Sequence, residues 1–143
     1  MGTSRHFEYI DHTADIIVRA YGETLAEAFA CAAEAMFAVI TDSAEIRPTS
    51  REPVDIESID REGLLVGFLS ELIVRHESRS VVVGDIRITA LGDTHLRADI
   101  GIEPFDEIRH GTGTQVKGVS YHLMEIRDPV DGDPAVVQVL FDI

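Results

Sequence analysis

The sequence predicts an α+β, two-layer domain, with two amphipathic helices packed on one face of a mostly antiparallel or mixed sheet. Three observations carry this. Two stretches have helical apolar spacing, most of the remainder alternates with period two, and the later strands are separated by short turns rich in Gly, Asp and Pro. With 143 residues, 45% hydrophobic content and no linker, repeat or low-complexity run, residues 1–143 read as one domain. A domain of this size buries roughly two thirds of its unfolded surface.

The segment "RHFEYI", 5–10, reads as a short strand, and "IIVRAYG", 16–22, as a second closed by Gly22, with the polar "DHTAD" loop between them. Thr24 and Glu27 then form a capping-box pattern. The helix it opens, about 25–40, puts Leu25, Phe29, Ala32, Met36 and Val39 or Ile40 on one face, which is a core face. "PVDIES", 53–58, is a strand, and Ser58 or Asp60 starts a second helix, about 60–77, with Leu64, Leu65, Phe68, Leu69, Leu72 and Ile73 as its buried stripe. "VVVGDIRITAL" and "HLRADIGI" flank "GDT" as a hairpin. "TQVKGVSYHLMEI", 114–126, is a further strand, "PVDGDP" a turn, and "AVVQVLF" the last strand.

The formal charge is −14, and the basic residues are dispersed. Phosphate backbones attract cationic faces, so autonomous nucleic-acid binding is not expected; the acidity suits a basic protein partner, a cation or plain solvation. Eleven of the twelve basic residues are arginine, which singles out Lys117. The lone Cys31 sits in an Ala-rich helical pattern and reads as a small buried residue. No signal-like or membrane-spanning apolar run is present, so a cytoplasmic protein is expected.

Candidate chemistry gathers in two places. "DHTAD" holds Asp11, His12 and Asp15, and "VLFDI" sets Asp142 before Ile143, although aspartate is disfavoured in strands. Asp11 is explained by turn formation. Asp15 abuts an apolar strand, where a carboxylate needs a partner. If the last strand lies beside the "IIVRAYG" strand, Asp15, Asp142 and the Ile143 carboxylate converge at one sheet end, a set of hard oxygens suited to Ca²⁺, or to Mg²⁺ or Mn²⁺. His12 is a ligand or proton-transfer candidate, or a packing residue of the loop. Lys117 either pairs with this acidic group, meets a partner, or guards a strand edge. "GTGT", 111–114, precedes a strand, not a helix, and reads as a mobile loop, not a phosphate cradle.

"DHTADIIVRAYGETLAEAFACAAEAMFAVITD", "LLVGFLSELIV", "VKGVSYHL" and "VLFDI" together resemble the archease family over nearly the whole chain. The resemblance implies an accessory protein, not an enzyme, with no catalytic residue of its own. It implies an activator of an RtcB-type RNA ligase in tRNA splicing and RNA repair; that ligase uses GTP and Mn²⁺, and the activator promotes its guanylylation and repeated turnover. The family's metal site falls on Asp15, Asp142 and the Ile143 carboxylate, and its functional lysine on Lys117. Ser120 stands where threonine is expected, which preserves the hydroxyl. The alternatives are a metal-dependent hydrolase built on His12, Asp15 and Asp142, and a general chaperone module for RNA-processing enzymes. The identity of the metal, self-association and the RNAs served are left open at this level.

Overall fold

A computed structural model describes residues 5–11, 15–42 and 44–143. Among these, seven strands and three helices follow in the order β1 (His6–Asp11), β2 (Asp15–Gly22), α1 (Leu25–Ile40), β3 (Ser50–Glu57), α2 (Arg61–Arg79), β4 (Val81–Leu91), β5 (His95–Pro104), α3 (Glu107–His110), β6 (Gly118–Arg127) and β7 (Ala135–Asp142). The class is α+β, and every strand pairing among the described residues is antiparallel. The strands divide into two sheets, ordered β1-β2-β7-β6 and β3-β5-β4, where the sequence suggested one.

The helices explain the division. The α1 sequence is Ala-rich, and Ala28, Phe29, Ala30, Cys31, Ala32, Ala33, Ala35, Met36 and Phe37 are all buried, so the helix is enclosed on nearly all sides instead of along one stripe. A helix apolar all round must be covered all round. It packs against β2 and β7 of the first sheet and β4 of the second, and α2 touches β6 of the first and β3, β4 and β5 of the second. The expected α2 stripe is buried in full.

Local chemistry sets the helix ends. Thr24 accepts the Glu27 amide at 3.1 Å, while the Glu27 carboxylate accepts the amide of Glu23, one residue before the cap. Asp60 caps α2 through the Gly63 amide at 2.8 Å, and Ser80 ends it in the left-handed region at φ 52°. Among the described residues, no helix is long and apolar enough to cross a membrane.

Three expectations change in detail. β6 begins at Gly118, not at 114; α3 was not expected; and "GTGT" is docked onto the end of α1. The amides of Gly113 and Thr114 donate to the carbonyls of Ile40 and Val39 at 3.2 and 3.0 Å, filling acceptors that a helix C-terminus leaves open. A Cβ at Gly113 would lie 2.3 Å from the Val39 carbonyl oxygen, so only glycine allows this approach.

Candidate functional site

The last strand runs beside β2, and its register sets Asp15 directly opposite Asp142. Gly118, on the other side of β7, is also directly opposite Asp142, and the Lys117 amide donates to the Asp142 carbonyl at 2.7 Å. Residues directly opposite in an antiparallel pair share a face. Core contacts fall to Ala135, Val137, Val139 and Phe141, so alternation turns Asp142, and Asp15 with it, to the outer face. A Cβ at Gly118 would lie 3.7 Å from Asp142 Oδ2, which places that carboxylate over the glycine. Asp15 is half-buried; Asp142 and Ile143 are exposed.

Of the three expected donors, the strand register brings Asp15 and Asp142 together at one sheet end; Ile143 follows Asp142 in the chain and lies outside the paired register. His12 lies outside the described residues. Among those described, no three His, Cys, Asp or Glu side chains gather as a metal cluster, so side chains here supply two carboxylates. Hard, anionic oxygens are suitable donors for a divalent cation. Like charges directly opposite one another destabilise a sheet, and a cation would reverse the sign of that interaction.

Lys117 is exposed on the extended approach to β6, with Val116 buried before it. Each of the eleven arginines makes an ion pair. Among the described residues Lys117 is the basic side chain without one. Its ammonium is thus a cation not committed to an ion pair, on a residue whose backbone abuts Asp142. Clefts of about 640 Å³ at Thr49, Phe105 and Arg109, and about 570 Å³ at Tyr21 and Val136, lie elsewhere and include none of these residues. Asp142 and Ile143, both exposed, are accessible to a larger molecule.

The segment that delivers Lys117 is anchored by a buried pair the sequence reading did not mark. His110, fully buried, receives the Asp106 amide on Nδ1 at 2.9 Å, which leaves Nε2 as the donor to Glu103 Oε1, also at 2.9 Å. Burial pushes the Glu103 carboxyl up, but the hydrogen bonds from His110 and the Arg47 amide, with the Arg109 charge, outweigh it and hold the group below its ordinary value. A glutamate inside the apolar run "DIGIEPF" was the available signal. Cys31 is buried as expected; its Sγ donates to the His6 carbonyl, and burial foremost raises its thiol to about 11.

The chain matches the Archease protein family (MTH1598/TM1083) over residues 7–143. It is 38% identical over 131 residues to Protein archease of Thermococcus gammatolerans, covering 90% of this chain and 92% of the relative. With the protein of that name from Methanosarcina acetivorans it shares 36% over 143 residues, 97% of each. The solution structure of Methanobacterium thermoautotrophicum Protein 1598 superposes with a TM-score of 0.73 at 34% identity, covering 96% of this chain and 98% of that one. A crystal structure from Thermotoga maritima, described as an archease and possible chaperone, shares the fold at a TM-score of 0.59 and 23% identity over 94% of each chain. On the family match and these identities, this chain belongs to the archease family.

Proposed function

We propose that this protein is a non-catalytic accessory factor that activates an RtcB-type RNA ligase, presenting the outer, acidic end of its first sheet to the ligase. The observation that carries the reading is the direct pairing of Asp15 with Asp142, with Lys117 held at the same sheet end. Two facing carboxylates at an exposed sheet end reduce the stability of the sheet, and retention of such a pair fits a binding role. The description of the Thermotoga relative as a possible chaperone agrees with an accessory part.

In this reading Asp15 and Asp142 hold a divalent cation, with Ca²⁺ the best match to oxygen-only donors and Mg²⁺ or Mn²⁺ also suitable, and the Ile143 main-chain carboxylate contributes a third donor. The bound ion would offset the repulsion between the carboxylates and leave a charged site at the surface. The Lys117 amide pins the end of β7, while its ammonium is available to an anionic group of the ligase complex. The Asp142 carboxylate lies over Gly118 of β6.

The test is RNA ligation by the cognate ligase at substoichiometric enzyme, with GTP and Mn²⁺, comparing no addition, this protein and Asp142→Ala. Multiple turnover with the unaltered protein alone supports the reading. Equal turnover in all three refutes it, and stimulation that survives both Asp142→Ala and residues appended after Ile143 refutes the carboxylate site.

A further inference from the structure

Strand β6 closes one edge of the first sheet, and its pairing with β7 breaks between Ser120 and Glu125. In the break, Leu123 has φ 59°, a left-handed backbone that a leucine adopts at a cost. Something must hold it there, and a buried side chain does. Gln138, 7% exposed on the outer side of β7, donates from Nε2 to the Leu123 carbonyl at 2.8 Å. Its own carbonyl is gripped by Arg19 from β2, through Nε at 3.1 Å and a second guanidinium nitrogen at 2.5 Å. The Ser120 hydroxyl accepts the His122 amide at 3.0 Å and closes the near side of the bulge.

The consequence is the exposure of three consecutive side chains. Tyr121 is 60% exposed, Leu123 47%, and His122 between them is also exposed, whereas a regular half-buried strand would turn alternate residues inward. Bulges re-aim side chains and backbone strain collects at functional sites. The run starts three residues after Gly118, so it borders the end of the sheet where Asp142 and Lys117 lie. Tyrosine is among the residues that dominate interface energetics.

We propose that the Tyr121–Leu123 bulge is a docking surface for a basic protein, whose cationic rim faces the acidic end of this sheet and whose apolar recess receives Tyr121 and Leu123. Charge selects this occupant: the chain carries −14, and its arginines are engaged in ion pairs within the fold, so what it shows a partner is mainly acid. Gln138 and Arg19 are positioning residues that keep the bulge raised. The surface deepens the proposed function and rests on it for the identity of the partner, the RNA ligase.

The test uses the full chain and the purified ligase, with affinity from titration calorimetry and stimulated ligation followed against concentration of this protein. In a Tyr121→Ala/Leu123→Gly double variant both changes are exposed and glycine suits the backbone at 123, so unchanged thermal melting is expected. The dissociation constant should rise about tenfold or more, and the half-saturating concentration with it, while maximal stimulation at saturation is kept. Asp142→Ala should instead lower the maximum. Tyr121→Arg should weaken binding more than Tyr121→Ala; tighter binding would overturn the basic character of the partner surface. Stimulation by the unaltered protein with an indistinguishable double variant would overturn the docking surface alone. Binding without stimulation, weakened in the double variant, would support the surface and overturn the activator reading. No binding by the unaltered protein would overturn both.

Discussion

Replacing Asp142 by asparagine should stabilise the metal-free protein while abolishing activation. Asp15 and Asp142 are directly opposite in the β2–β7 register, which puts their Cβ atoms about 5 Å apart. Two unit charges at about 5 Å repel by about 1 kcal/mol at a dielectric constant of about 80, and by about 3 kcal/mol at about 20. Asp142 is exposed, which weights the pair toward the lower figure, although Asp15 Oδ1 is shielded from solvent. Asparagine keeps the shape and removes the charge, and about 1 kcal/mol corresponds to a melting temperature higher by about 3 °C for a chain of this length. The sign should reverse with a cation present, because an ion that binds the native state adds stability that rises with the logarithm of its concentration relative to its dissociation constant. Thermal melts followed by circular dichroism, in chelator and in millimolar Ca²⁺, decide this. The unaltered protein should gain on addition of Ca²⁺ and Asp142→Asn should not. A variant that melts below the unaltered protein in chelator, together with no response of either to Ca²⁺, Mg²⁺ or Mn²⁺, would refute the reasoning.

Other outcomes follow from the same geometry. Phe141→Ala empties a fully buried site beside Asp142 and should cost about 3–5 kcal/mol in denaturant unfolding; a loss under 1 kcal/mol would contradict the packing. Because partners hold the folded Glu103 carboxyl below its unfolded value, its contribution is complete above about pH 4.5 and is lost as the pH falls through the folded value. Glu103→Gln should therefore be less stable at pH 7 and show a shallower acid limb than the unaltered protein, measured by melts from pH 7 to 3. Gly113→Ala forces a Cβ against the α1 carbonyls, so hydrogen-exchange protection at the Thr114 and Lys117 amides should fall. Association with the ligase should slow as salt rises, since charges of a −14 chain are screened over about 10 Å at 0.1 M; a flat dependence would reject electrostatic steering.

The two helices were legible in the sequence because their signals are local. The 25–40 span was read with both ends in place from Thr24, Glu27 and the apolar spacing, and the Leu64 to Ile73 stripe from period alone. The strands were legible in number and approximate place, since alternation reports a half-buried face without saying which strand lies beside it. The aspartate in "VLFDI" was conspicuous because it contradicts strand propensity, and Lys117 because no other lysine exists.

Tertiary structure alone decided the rest. Whether Asp15 meets Asp142 depends on a pairing between residues at opposite ends of the chain, and a slip of one residue would have turned them to opposite faces. The split into two sheets came from an alanine-rich helix that needed cover on every side, a demand that appears only once the other elements compete for its surface. The bulge at Leu123 depends on Gln138, fifteen residues away, and Arg19, more than a hundred away; "SYHLME" by itself reads as an ordinary alternating strand. Sequence determined which segments are helix or strand and which residues were out of place in them, because those preferences act within a few residues. Which of these residues face one another was set by packing, where the burial of α1 and the β2–β7 register fix contacts that no local pattern encodes.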